Sequence, residues 1–134
     1  MSEFVWAAHI ASIGFPGAVM KGPGGQVPAY EFFLGGRSTE SGGTKVGERV
    51  KARIPAKRAP EALKSVLDTY IANRNDGEEF SSFIERFGIS VFEEEFAKLK
   101  AEVGPLDRDN IQTYMDWGKT VVYKLERGEG ECAV

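Results

Sequence analysis

The sequence has one cysteine, Cys132, and one histidine, His9, in 134 residues. A single thiol cannot form an intramolecular disulfide. Nor can this stretch of chain build a multi-cysteine metal or iron–sulfur site by itself. So little cysteine points to a reducing compartment, and a cytoplasmic location is the expectation. No apolar run approaches the length of a membrane span, so no membrane role is expected. Residues 1–6 lack a basic leader, so a signal peptide is not expected. A positive excess is missing too. The net charge is −3, which argues against a general nucleic-acid binder. There is no internal repeat and no low-complexity tract.

The remaining composition is that of an ordinary globular domain. Hydrophobic residues make up 42% and charged residues 28%, and the length suits one domain with a real core. The expected organisation is a single α+β domain over residues 1–125 and a charged, glycine-rich flexible tail over 126–134. Charge is uneven along the chain. Between Arg37 and Lys64 there are eight Lys or Arg and three Glu; from Asp76 to Glu102 acidic residues dominate.

The N-terminal half reads as strands. Residues 6–15 form a short apolar strand, stopped by Gly14-Phe15-Pro16-Gly17. Lys21-Gly22-Pro23-Gly24-Gly25 reads as a loop. Residues 28–34 are rich in aromatics that fit a pleated surface, and Gly35-Gly36 ends them. Residues 38–43 are another loop. Residues 46–54 alternate, with Val46, Val50, Ala52 and Ile54 on one face and Arg49, Lys51 and Arg53 on the other. A period of two marks a half-exposed strand, ended by Pro55.

The C-terminal half changes period. Pro60 suits a first helical turn, and Leu63, Val66, Leu67, Tyr70 and Ile71 recur at helical spacing through Asn73. Phe80, Phe83, Ile84 and Phe87 predict a second helix closed by Gly88. Phe92, Phe96 and Leu99 predict a third, ending by Val103 before Gly104-Pro105. Asp107 is placed to cap a fourth helix running to Trp117, and residues 120–125 read as a last strand. The fold class is therefore α+β: a small mixed or antiparallel sheet from the N-terminal half, packed with three to four helices from the C-terminal half. The phenylalanines from Phe80 to Phe96 belong to the core, and Trp117 is expected to bury at a helix end.

Few residues carry chemistry. His9 is a candidate donor to a cofactor, but a metal would need further ligands, and no metal site is expected. Gly22–Gly25 resembles a phosphate loop only superficially, because a strand follows where an anion-binding helix would be needed. Lys51, Arg53, Lys57 and Arg58 form the most suggestive group. Their ammonium and guanidinium groups suit carboxylates or phosphates, Arg through its planar fork of donors; an ordinary solvated face is the alternative. Cys132 lies between Glu131 and Ala133 and is a redox candidate. Nearby Glu129 and Glu131 disfavour the reactive thiolate.

Several segments, in order, resemble one known family. They are His9-Ile10-Ala11-Ser12-Ile13-Gly14-Phe15, residues 28–37 (PAYEFFLGGR), residues 54–62 (IPAKRAPEA), Gly77-Glu78-Glu79-Phe80, and residues 83–88 (FIERFG). The family is the sirohaem- and [4Fe–4S]-dependent nitrite and sulfite reductases of nitrogen or sulfur assimilation. The likeness covers about His9 to Gly88 and falls in the C-terminal portion, after the last cluster cysteines. It implies an oxidoreductase scaffold in which four cysteines hold the cluster beside sirohaem. The chain departs from that pattern at its start, where Val5 and Met1 stand in the positions of the last cysteine pair.

The resemblance therefore implies a domain that binds no cofactor alone and completes or supports a reductase through a cluster-bearing partner chain. Arg53, Lys57, Arg58 and His9 would be its contributions to sirohaem binding. Two alternatives stay open: a cofactor-free binding module for an anionic ligand or protein, using the region of Gly22–Gly25 and the Lys51–Arg58 group, and a thiol redox or sulfur-relay protein acting through Cys132. A homodimer through the exposed N-terminal strand is also expected.

Overall fold

The computed structural model describes residues 12–38, 44–119 and 121–123. His9, Cys132, most of the expected first strand and the whole of the expected tail lie outside these residues. The fold is α+β, as the sequence predicts. All the strand pairings are antiparallel among the described residues.

Eight short strands are present: β1 (Ile13–Gly14), β2 (Gly17–Gly22), β3 (Gly25–Tyr30), β4 (Phe33–Leu34), β5 (Arg37–Ser38), β6 (Thr44–Lys45), β7 (Glu48–Arg49) and β8 (Ile54–Pro55). They divide into sheets ordered β1-β4-β7, β2-β3-β8 and β5-β6, where one small sheet was expected. Two segments that read as single strands cause this division. Residues 28–34 break at Glu31 and Phe32, so β3 stays in one sheet and β4 joins another. Residues 46–54 do the same between β7 and β8. The two crossings run side by side and are tied by the Val50 N–H, which donates to the Phe32 carbonyl over 2.9 Å. A strand that switches sheets turns the corner with a local break in its ladder. Side-chain alternation cannot reveal such a break, because the apolar residues on both sides of it remain buried.

The supposed loop around Gly22–Gly25 is the tip of a tight hairpin. Strands β2 and β3 pair from Gly17 opposite Tyr30 to Gly22 opposite Gly25. Pro23 and Gly24 form the turn. Glycine is required at position 24, since a Cβ there would collide with the Leu106 backbone and side chain.

Three α-helices follow: α1 (Ala59–Asn73), α2 (Phe80–Phe87) and α3 (Ser90–Ala101). None is long and apolar enough to cross a membrane. α1 opens with Pro60 in its first turn, where the missing N–H costs nothing. Gly88, at φ +81°, closes α2 and returns its N–H to the Ile84 carbonyl over 2.8 Å. The main core fills the space between the β1-β4-β7 sheet, the crossings and the helices. Phe32, Leu34, Val50, Ile54, Ala62, Val66, Phe83, Phe92 and Phe96 are all buried in it. Val46 is half exposed, so it does not share the buried face of Val50, Ala52 and Ile54.

The expected fourth helix is absent. The Asp107 carboxylate does accept hydrogen bonds from the Asp109 and Asn110 N–H groups, each at 3.0 Å. It closes a local turn rather than capping a helix, the competing role that Asp fills when its side chain replaces a backbone bond. Only a short 3-10 turn, Ile111–Tyr114, forms beyond it. The expected last strand is represented by one bridge, Met115 opposite Val122; Thr120, Lys124 and Leu125 lie outside the described residues. The reason is Tyr114. It is fully buried against Met20, Val27 and Ala29 in a second, smaller core, and its hydroxyl fastens the chain there. That oxygen accepts from the Gly24 N–H at 2.9 Å and donates to the Gly104 carbonyl at 2.7 Å.

Candidate functional site

The two sheet crossings also position charge. Glu31 sits at the first crossing with its carboxylate largely buried, and Arg53 lies near the end of the second. The Arg53 guanidinium meets Glu31 Oε1 through Nε at 3.0 Å and Nη2 at 2.9 Å. Its Nη1 donates to the Val19 carbonyl in β2. Arg49 approaches the same carboxylate at 3.8 Å. Arg53 therefore straps the hairpin to the segment that returns from β7. The Lys51 N–H donates to Glu93 on α3 over 3.2 Å, which fixes the same segment to the helical layer.

A groove of about 770 Å³ opens beside this strap. Val19, Met20, Lys21, Gly25 and Gln26 line it from the hairpin, and Arg49, Lys51, Arg53 and Lys100 from the crossing and the end of α3. Lys51 and Arg53 are brought together here with Gly25 of the hairpin tip, whereas Lys57 and Arg58, grouped with them in the sequence, do not line it. Lys21 and Lys100 were not foreseen. Lys21 belonged to an apparent loop, and nothing in the local pattern of α3 distinguishes Lys100 from Lys98. Lys21, Lys51 and Lys100 have no carboxylate partner among the described residues.

Lys57 and Arg58 are placed elsewhere. Arg58 lies between Glu61 on α1 and Glu102 just past α3, bidentate to Glu61 at 2.9 Å through both Nε and Nη2. The hydrogen bond to Glu102 is the largest influence and raises the Arg58 pKa above its ordinary value; burial opposes it, and Glu61 adds to the rise. Lys57 lies over the Trp117 ring, 4.8 Å from its centre. Trp117 is 49% exposed rather than buried. Its indole N–H donates to the Ala56 carbonyl at 3.0 Å, and its ring borders an apolar hollow of about 220 Å³ with Phe15, Tyr30, Phe32, Ala59, Pro60 and Leu63. A burial signal from one aromatic after a presumed helix could not anticipate this, because the helix itself is missing.

These placements bear on the cofactors implied by the family resemblance. A cubane cluster is held by four thiolates, and the whole sequence holds one cysteine. Among the described residues no three His, Cys, Asp or Glu side chains group in a way that could hold a metal. The donor set does not fit the cluster. Arg53, Lys57 and Arg58 do not form one cradle for a carboxylated tetrapyrrole either, since their charged ends attend to Glu31, Trp117 and the Glu61–Glu102 pair. His9, the remaining candidate for that role, and the redox candidate Cys132 lie outside the described residues.

No protein-family model matches the chain, and no curated protein matches it. Among solved structures, the chain is similar to part of the NirA protein of Mycobacterium tuberculosis. The TM-score is 0.53 and the identity 26%, over 59% of this chain. Over that part, the fold is related to that of NirA. The likeness spans 14% of NirA's own length, so the chain corresponds to a small part of that protein.

Proposed function

We propose that this chain is a reductase-like C-terminal module that supports a sirohaem/[4Fe–4S] nitrite or sulfite reductase whose cluster is carried by another polypeptide segment. The observation that supports this reading most is the likeness to NirA, joined to the ordered resemblance from His9 to Gly88. On this reading the reduction of nitrite or sulfite belongs to the assembled reductase. The thiolates come from the partner. This chain contributes packing: the β1-β4-β7 sheet and α1–α3 form a rigid body against which the cluster-bearing segment folds. The hollow bordered by Trp117 and Phe15, both half exposed, offers apolar surface for such a contact.

Reconstitution tests the reading. The purified chain is mixed with a nitrite/sulfite reductase chain from which the corresponding C-terminal segment has been deleted. The expected result is co-elution on size exclusion and recovery of sirohaem absorption in the complex. Failure to co-elute with any cluster-bearing reductase chain, at concentrations up to 100 μM (roughly the affinity range of weak encounters), would sink it. The same columns report whether the chain alone is a dimer, as the sequence of the N-terminal segment leads one to expect; a monomer at all concentrations would remove that part of the proposal.

A further inference from the structure

The groove beside Arg53 has a composition that the reductase reading does not use. Lys21, Arg49, Lys51, Arg53 and Lys100 line it, and among the described residues the one carboxylate in an ion pair with any of these side chains is Glu31, bonded to Arg53 and near Arg49, while Glu93 accepts only from the Lys51 backbone N–H. We propose that this groove is a binding site for a small polyanion carrying at least two phosphate or carboxylate groups.

Four observations carry the inference. First, the cations come from three separate parts of the chain, the hairpin, the sheet crossing and the end of α3, yet converge on one concavity. Unpaired lysines on a convex surface relax apart into water, whereas a concave wall focuses their fields inward. Second, the volume of about 770 Å³ lies in the range of roughly 300–1,000 Å³ occupied by small-molecule sites. Third, Arg53 is already ordered. Glu31 and the Val19 carbonyl hold its guanidinium, which has further N–H groups to offer, so little side-chain freedom is lost on binding. Fourth, among the described residues no aromatic side chain lines the groove. A nucleobase or a single nucleic-acid strand would want a stacking platform there, and a protein partner an aromatic anchor. A compact polyanion needs neither. The cations stand on both the hairpin and the crossing, an arrangement that suits a ligand with two or more charged groups.

Calorimetry with the full chain tests this, using inorganic tripolyphosphate and citrate as probes so that phosphate and carboxylate chemistry are separated. At least one probe is expected to bind with about 1:1 stoichiometry, and the affinity to fall with added salt. The triple variant Lys21→Gln, Lys51→Gln, Lys100→Gln is expected to weaken that probe at least tenfold. Lys64→Gln, on the exposed face of α1 and paired with Asp68, is expected to change it less than twofold. NMR shift mapping on the unaltered chain gives a reading independent of variant folding, with the largest shifts expected at Lys21, Gly25, Lys51 and Lys100. Absence of binding by both probes at millimolar concentration overturns the proposal. So does equal binding by the triple variant, or shifts centred elsewhere. A ten-residue polyglutamate peptide that binds the groove when neither small probe does would also overturn it, by making the groove a protein-docking surface. None of these outcomes depends on reductase assembly, so the two readings fail separately.

Discussion

The two cores of this domain are held by different forces. The larger one, between the β1-β4-β7 sheet and the helices, buries Phe32, Leu34, Ile54, Phe83, Phe92 and Phe96 essentially completely. Rings meet edge to face, as Phe32 and Phe96 do with centres 5.0 Å apart, and each such side chain removes a large apolar area from water. The smaller one, under the β2–β3 hairpin, has only Met20, Val27, Ala29 and Tyr114, with Val103 partly covering it. Its apolar area is modest. What keeps the hairpin down is a pair of hydrogen bonds through one hydroxyl and the guanidinium strap from Arg53. The lesson is that the cationic groove lies where the polar fastening is, at the junction of the two regions. A surface held by a few directional bonds can be shaped for a ligand without disturbing the main core.

Substitutions can test this division. The largest effect is expected for Phe96→Ala. It leaves a cavity in the main core and should lower global stability by about 3–5 kcal/mol, read as an earlier urea midpoint. A loss below about 1 kcal/mol would show that the helical layer does not dominate stability. Next comes Gly35→Ala. Gly35 sits at φ +87°, and a Cβ there would approach Ile84 Cγ2 to 2.9 Å. Strain and overpacking together should cost about 2–3 kcal/mol, again globally.

Tyr114→Phe should act on the other region. It keeps the ring but leaves the Gly24 N–H and the Gly104 carbonyl without their partner, which costs about 1–3 kcal/mol. The comparison predicts that this loss appears as faster amide exchange through the hairpin, with α1–α3 nearly unchanged. Uniform acceleration throughout the domain would merge the two regions into one cooperative unit.

The smallest effect concerns pH and the far end of the helical layer. Hydrogen bonds from the Arg86 side chain, and then from the Asn75 N–H, hold the Glu78 carboxyl at about 2, below its ordinary 4.5. A carboxyl depressed in the folded state stabilises it fully above the unfolded value. That contribution is lost as pH falls from about 4.5 toward 2. Glu78→Gln should therefore be less stable than the unaltered chain at pH 7, while the difference closes by pH 2. Urea midpoints measured across that window read it directly, and a constant gap would remove the Arg86–Glu78 pair as its source.

Helices α1 and α2 were legible in the sequence almost to the residue. Phe80–Phe87 appears where the spacing of Phe80, Phe83, Ile84 and Phe87 predicts it, and α1 ends at Asn73 as expected. The strands were legible only as apolar stretches. Val50, Ala52 and Ile54 are buried as alternation requires, and Arg49, Lys51 and Arg53 all reach the groove, yet the regular strand that would join them is absent. The fourth helix failed for a different reason. Asp107 has a good capping side chain, but Tyr114 is drawn into the second core and the helical path cannot reach it. Of the candidate cations, Lys51 and Arg53 remain in a common site, whereas Lys57 and Arg58 are engaged by Trp117, Glu61 and Glu102.

By itself the sequence determined where α1–α3 lie, which of their faces are apolar, and that one thiol cannot hold a cubane cluster. These are local or compositional facts, carried by spacing within a few residues or by a simple count. Only the tertiary structure decided how the strands divide between sheets, and so which cations share a groove. Sheet partners are chosen by contacts between distant segments. Glu31 against Arg53, Tyr114 against Gly24, and Lys100 lining the same groove as Lys21 have no signature in the residues that flank them.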